Sequence, residues 1–231
     1  MFHLRSLILG TCAAALMAGS VAAKSDITVA MQLEPPHLDP TSAAAGAIDS
    51  VLYSNVFEGL TRFMGDGSVV PGLAESWEIS PDGLTYTFNI RKGVNWHDKA
   101  PMNGRELTAD DVVWSFQRQW GLGDFTEAGP SPANMWRFSA LPAESVTATD
   151  KWTVVVKTSS FSFSTLDMLV FANGASTYIQ PPEVINEYGD LRDWRHLVGT
   201  GPYELTGVVP GSSLTFTRNP NYWQYDPRHP D

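Results

Sequence analysis

The residues able to do chemistry are few and scattered. The five histidines, His3, His37, His97, His196 and His229, stand apart, and none has a second ligand-type residue at a helical i, i+4 spacing or in the short-loop pattern of a metal site. His97 beside Asp98 is the one pairing that could serve as a base or ligand, and its plainer reading is a turn at the end of a strand. Paired carboxylates occur at Glu75/Glu78 and Asp110-Asp111, whereas a glycosidase needs two such groups ~5–9 Å apart across a cleft. Adjacent aspartates at a helix start also read as caps and dipole partners. With tryptophans as sugar platforms, those four acids define a secreted hydrolase as an alternative of another class. There is no Gly-x-Ser-x-Gly elbow and no Gly-rich phosphate loop, so neither a serine hydrolase of that type nor a nucleotide site is indicated. The residues by themselves assign no catalytic group, metal ligand or cofactor.

Composition narrows the field further. Lys and Arg number 15 against 25 Asp and Glu, a net charge of −10 in 231 residues. That sign argues against a nucleic-acid partner, which would be held by basic stripes. The single cysteine, Cys12, excludes a disulfide framework and a four-cysteine zinc site. Residues 1–23 read as a cleavable secretory signal, with Arg5, an apolar run from Leu7 to Met17, and small Val21 and Ala23 before a cut at Lys24. That run is shorter than the ~20 residues a membrane-spanning helix needs. Leu9-Gly10-Thr11-Cys12 loosely resembles a lipobox, but Thr11 is poorly suited to precede that cut. Cleavage would take Cys12 away and leave a thiol-free chain, as suits an oxidising compartment. No later segment is apolar for ~18 residues, so the mature chain is expected to be soluble.

The elements that must position these side chains are of mixed type. Ile27, Val29 and Met31 alternate with polar or small neighbours, which predicts a strand, ended by the prolines of Glu34-Pro35-Pro36-His37. Ile48, Val51, Leu52 and Val56 share one face of a helix predicted over 42–58, stopping near Gly59. Short strands follow from Leu60 to Ile90, turning at Asp66-Gly67 and Pro81-Asp82-Gly83, with Tyr86, Phe88 and Ile90 on the buried face. Thr108-Ala109-Asp110-Asp111 predicts a capped helix start, burying Val112, Val113, Phe116 and Trp120 and ending near Gly121. Residues 121–142 read as a loop. A hairpin is expected at 144–157, an apolar helix near Thr165–Phe171, a break at Pro181-Pro182, and a last hairpin turning at Pro210-Gly211. Trp77, Trp96, Trp114 and Trp152 fall in these patterns as packing residues.

Taken in order, several blocks resemble one family, the extracytoplasmic solute-binding proteins of peptide-type ABC importers. They are Leu38-Asp39-Pro40, Phe57-Glu58-Gly59-Leu60-Thr61, residues 71–78 (Pro-Gly-Leu-Ala-Glu-Ser-Trp-Glu), 82–88 (Asp-Gly-Leu-Thr-Tyr-Thr-Phe), Arg91-Lys92-Gly93-Val94 and His97-Asp98. The series continues with residues 107–113, then Gly199-Thr200-Gly201-Pro202-Tyr203, and closes with Arg218-Asn219-Pro220-Asn221-Tyr222-Trp223. Lys99 departs from the pattern, which usually has Gly there. Members are also typically more than twice this length, so the chain resembles the amino-terminal portion of such a receptor.

The resemblance implies an α+β, periplasmic-binding-protein-like fold. A mixed-sheet ligand lobe from residues 24–45 and 161–231 would be incomplete, a smaller α/β subdomain over 46–160 would be inserted in it, and the second lobe would be missing. It implies no enzyme and no cofactor. The expected function is capture of peptides or peptide-like solutes in the periplasm, as a monomer, for delivery to an ABC permease in the inner membrane. The same scaffold can host a nickel complex, an oligosaccharide or an opine. The segment Gln32, Leu33, Glu34, Pro35, Pro36 and His37 resembles the family's stretch that lies against an extended ligand, where β-augmentation would read peptide backbone. Without two lobes to close on the solute, peptide binding by this chain is expected to be weak or absent.

Overall fold

The computed structural model describes residues 26–42, 46–52, 54–132, 143–161 and 177–225. The signal over 1–23, the helix near Thr165–Phe171, His3, His229 and Cys12 lie outside the described residues. The chain divides into two units, residues 1–32 and 33–231.

In the first unit the expected strand is corrected. Residues 26–31 form no strand, and Ile27 and Val29 are 90% and 76% exposed. Their alternation is strand-like, but a strand exists only where a neighbour satisfies its backbone groups.

The second unit carries the expected mixture of elements. Helix α1 is Gly46–Leu52, which buries Ile48, Val51 and Leu52 but ends well before Gly59, earlier than expected. Residues 54–56 are turns that still bury Val56. Strands β1 (Thr61–Phe63) and β2 (Val69–Pro71) pair as a small hairpin. Its turn is closed by Asp66 Oδ1, which accepts from the Ser68 amide and hydroxyl.

The main sheet is antiparallel, in the order β3 (Ala74–Ile79), β4 (Thr85–Ile90), β6 (Thr153–Thr158), β5 (Ala143–Asp150). Tyr86 pairs with Val156 and Phe88 with Val154, so their side chains share a face. Tyr86, Phe88 and Ile90 are buried and their Thr and Asn neighbours are not, as the period of two requires. Helix α2 (Ala109–Trp120) contacts β5 and β6 and buries Val112, Phe116 and Trp120. The Phe116 and Trp120 rings stack 4.4 Å apart at one helical turn's spacing. The helix begins as its sequence predicts: Thr108 N donates to Asp111 Oδ2 at 2.9 Å. Gly121 ends it with φ 63° in the left-handed region, where a Cβ would be strained.

The expected break at Pro181-Pro182 is a helix start instead. Helix α3 spans Pro182–Tyr188 with proline in its first turn, where the missing N–H costs nothing. Arg105 ties α3 to α2. Its guanidinium makes two bonds to Asp111 (2.6 and 2.8 Å) and two to Glu183 (2.6 and 2.7 Å), the forked geometry that lysine cannot reproduce.

The last sheet is a two-stranded hairpin, β7 (Tyr203–Val209) and β8 (Ser213–Arg218). Leu205 is its one fully buried residue, and Val208, Leu214 and Phe216 rest half-buried on the core.

Phe88 lies at the centre of the main sheet, fully buried. Phe88→Ala is expected to lower unfolding stability by about 3–5 kcal/mol, the range for removing a large core side chain. The midpoint and slope of urea denaturation check it, with the slope unchanged.

Candidate functional site

The segment expected to meet ligand hangs from a buried anchor. Leu38, Asp39, Pro40 and Thr41 are all buried. Asp39 Oδ1 accepts from the Thr41 amide (2.8 Å) and hydroxyl (2.6 Å), and its Oδ2 accepts from Leu191 N at 3.4 Å. Arg118, from the last turn of α2, donates to Thr41 Oγ1 (3.2 Å) and to Gln180 Oε1 (2.8 Å). Burial pulls the Arg118 pKa below its ordinary value, while the charges of Asp39 and Asp190 oppose that shift.

From this anchor the chain projects outward. His37 Nδ1 accepts from Asp39 N, so Nε2 carries the proton and meets Ser42 Oγ at 3.2 Å. Glu34 is exposed, yet its Oε1 accepts from Gly211 N at 2.9 Å, across 177 residues of sequence. Pro35 is half-buried and Pro36 exposed, and Leu33 is 69% exposed. Gln32 is exposed and belongs to the smaller unit. The structure thus brings Glu34 to the tip of the β7–β8 hairpin and folds His37 back on the anchor. Chemically, Pro35 and Pro36 offer carbonyls without competing amides, a stretch suited to accepting from the N–H groups of an extended chain.

The hairpin is rooted in a buried polar knot. Glu58 Oε2 accepts from Thr200 Oγ1 (3.0 Å) and Trp223 Nε1 (3.1 Å), and Oε1 accepts from Tyr222 OH (2.9 Å). Burial raises the Glu58 pKa, while the bonds from Trp223, Tyr222 and Thr200 and the charge of Arg62 pull it back. Tyr222 is driven up by burial and by the Glu58 charge. Beside the knot, His97 Nε2 donates to Gly201 O at 3.0 Å and Nδ1 accepts from Gly199 N at 3.3 Å. Backbone approach is close here. A Cβ on Gly199 would run into Val56 O, and one on Gly201 would run into Asn55 O.

A family model for bacterial extracellular solute-binding proteins, family 5 Middle, matches residues 68–231. The chain belongs to this family. Its curated relatives include Di/tripeptide-binding protein 1 of Pseudomonas aeruginosa, 30% identical over 96% of this chain and 43% of that protein. The Dipeptide-binding protein of Escherichia coli is 43% identical over 45% of this chain and 19% of its own. Among solved structures, the oligopeptide-binding protein of Haemophilus influenzae, in complex with the peptide RPPGFSPFR, superposes with a TM-score of 0.67 at 29% identity. The match covers 82% of this chain and 37% of that one. A Helicobacter pylori periplasmic binding protein in complex with the peptide STSA gives 0.67 at 26% identity, covering 83% and 38%. The chain therefore spans about two fifths of the length of such relatives. The neighbours have the periplasmic-binding-protein fold, and this chain is a mixed α+β portion of it. The family is one of extracytoplasmic solute-binding proteins, which are not enzymes.

Family membership fits where the blocks of the sequence meet. Phe57 to Thr61, Gly199 to Tyr203 and Arg218 to Trp223 converge on Glu58 and His97. Arg91 lies over the Trp223 ring at 4.5 Å and donates to Gly72 O at 3.2 Å, which brings in two more blocks. The sequence reading missed this cluster. An acid inside the apolar block Phe57-Glu58-Gly59-Leu60 was the available signal, because a buried carboxylate needs donors from elsewhere.

The other candidates are accounted for. Glu75 and Glu78 are exposed on β3, Asp110 is exposed, and Asp111 is committed to its cap and to Arg105. His196 stacks on Tyr188 with ring centres 3.7 Å apart. Trp96 is buried, while Trp77, Trp114 and Trp152 are half-buried against the core. Among the described residues no group of three metal-ligand side chains occurs, and no helix is long and apolar enough to cross a membrane.

Burial lowers the His97 pKa from 6.5 to about 4. Below pH 6.5 the unfolded chain takes a proton that the folded chain refuses, so stability falls as pH drops toward 4 and is unaffected above 6.5. The loss attributable to His97 is at most about 3 kcal/mol. Urea unfolding of the wild type and His97→Gln from pH 7.5 to 4 checks it, with the variant's profile expected to be flatter across that window.

Proposed function

We propose that this chain is the solute-capturing part of a peptide-type ABC importer receptor. It takes up peptides or peptide-like solutes in the periplasm, after removal of a signal at residues 1–23, and serves a membrane permease as a monomer. In this reading residues 24–45 with 161–231 form the ligand lobe and 46–160 the insertion. The main sheet and α2 fall wholly inside the latter, which supports the division. Gln32 to His37 is the ligand segment, its backbone read by an extended peptide. The observation that carries this reading is the bond between Glu34 and Gly211, which ties an exposed, proline-rich segment beyond the Asp39 anchor to the hairpin tip. The di- and tripeptide-binding relatives support the solute class.

Neighbours solved with agropinic acid and with a nickel–histidine complex favour an opine or a chelate as the competing solute. Amide hydrogen exchange over residues 33–42 separates the two. A tripeptide at millimolar concentration is expected to slow exchange there, and Glu34→Ala to weaken that protection several-fold. Protection by agropinic acid or nickel–histidine, with none by peptides, sinks the peptide reading.

A further inference from the structure

Glu58 sits at the root of the hairpin that carries Gly211, with donors on both legs. Thr200 precedes β7, and Tyr222 and Trp223 follow β8. Further bonds reinforce the same root: Gly201 N donates to Val56 O and Tyr203 N to Asn55 O, both at 2.9 Å, and the Asn219 side-chain Nδ2 donates to Gly201 O at 3.0 Å. Above this root the hairpin pairs with no third strand among the described residues, buries only Leu205 fully, and rests Val208, Leu214 and Phe216 half-buried on the core. Those contacts are partial, so the bonds at the root carry much of its direction. β7 is seven residues long, so at ~3.3 Å per residue its tip stands roughly 23 Å from the root, and a tilt of about 5° there moves the tip by about 2 Å. That displacement is enough to part a 2.9 Å hydrogen bond.

We propose that Glu58 is a positioning residue for the ligand segment: by clamping both legs of the β7–β8 hairpin it keeps the Gly211 amide on the Glu34 carboxylate. The inference rests on the reading of residues 32–37 as the segment that meets solute. Of the three partners Trp223 can only donate, while the Thr200 and Tyr222 hydroxyls can donate or accept, so a neutral side chain can replace Glu58 only if it offers an acceptor to the indole and a polar group to each hydroxyl. In Glu58→Gln the new side chain would accept from Thr200 and Trp223 through its carbonyl and donate to the Tyr222 oxygen through its amide. Alanine offers nothing and leaves the buried Thr200 hydroxyl and the half-buried Tyr222 and Trp223 without their partner.

The test uses no ligand. In the 231-residue chain the Gly211 amide resonance is expected to move when Glu34→Ala removes its acceptor, and each Glu58 variant is read by whether adding Glu34→Ala still produces that movement. Glu58→Ala is expected to lose the movement while the amides of the β4–β6 ladder keep their dispersion and slow exchange. Glu58→Gln is expected to retain it. An unchanged Gly211 response in Glu58→Ala overturns the proposal, as does Glu58→Gln behaving like Glu58→Ala. Should Glu58→Ala also lose the ladder amides, the double variant Thr200→Val/Tyr222→Phe replaces it. That variant removes one donor from each leg, and an unchanged response there overturns the proposal equally. If peptides fail to protect residues 33–42, the solute reading falls while the Gly211 response still decides the role of Glu58.

Discussion

A carboxylate taken out of water must be compensated by donors, or it destabilises whatever buries it. Glu58 is buried, and its compensation comes from three side chains that lie far along the chain, on Thr200, Tyr222 and Trp223. This single requirement closes the fold. It obliges the segment after α3 to return beside residues 55–61, and it obliges the chain leaving β8 to return to the same place. Both ends of the last hairpin are thereby fixed to the first third of the molecule.

The glycines and His97 follow from that closure. Residues 199–201 run so close to the backbone of Asn55 and Val56 that no side chain fits at either glycine. Backbone groups packed this tightly need partners that water cannot supply, and the neutral His97 ring provides one donor and one acceptor in the correct order. Its low proton affinity is the electrostatic expression of the same fact, because an imidazolium would lose the acceptor that Gly199 N requires. The histidine that looked most like a base or ligand is thus a structural pin, held neutral by the contacts that make it useful.

Much of the fold was legible where local signals sufficed. The alternation of Tyr86, Phe88 and Ile90, the Thr108 start and Gly121 stop of α2, and the Pro210-Gly211 turn each depend on near neighbours, and each is found as expected. Failures came where a distant partner decides. Ile27 to Met31 have the pattern of a strand and no ladder. Pro181-Pro182 reads as a break until one notices that proline suits a first helical turn, with Glu183 there to meet Arg105. The candidate site was half legible: the proline-rich segment stood out in the sequence, but its tie to Gly211 is a contact across 177 residues that no local pattern announces.

The division of labour within the chain bears on what determines the solute. Several of the blocks that carry the family resemblance meet at Glu58, His97 and Arg91, and the bonds there are internal. They hold segments in place and turn few polar atoms outward. The segment proposed to meet solute is short, exposed and rich in proline, and it is held by backbone geometry and one carboxylate rather than by a dedicated pocket of side chains. A scaffold constrained by an internal knot can keep its shape while its exposed segment varies. That is how one architecture can belong to proteins crystallised with peptides, with an opine and with a nickel complex. On the reading proposed above, the knot keeps the scaffold and the choice of solute falls to the few residues that it holds out to solvent.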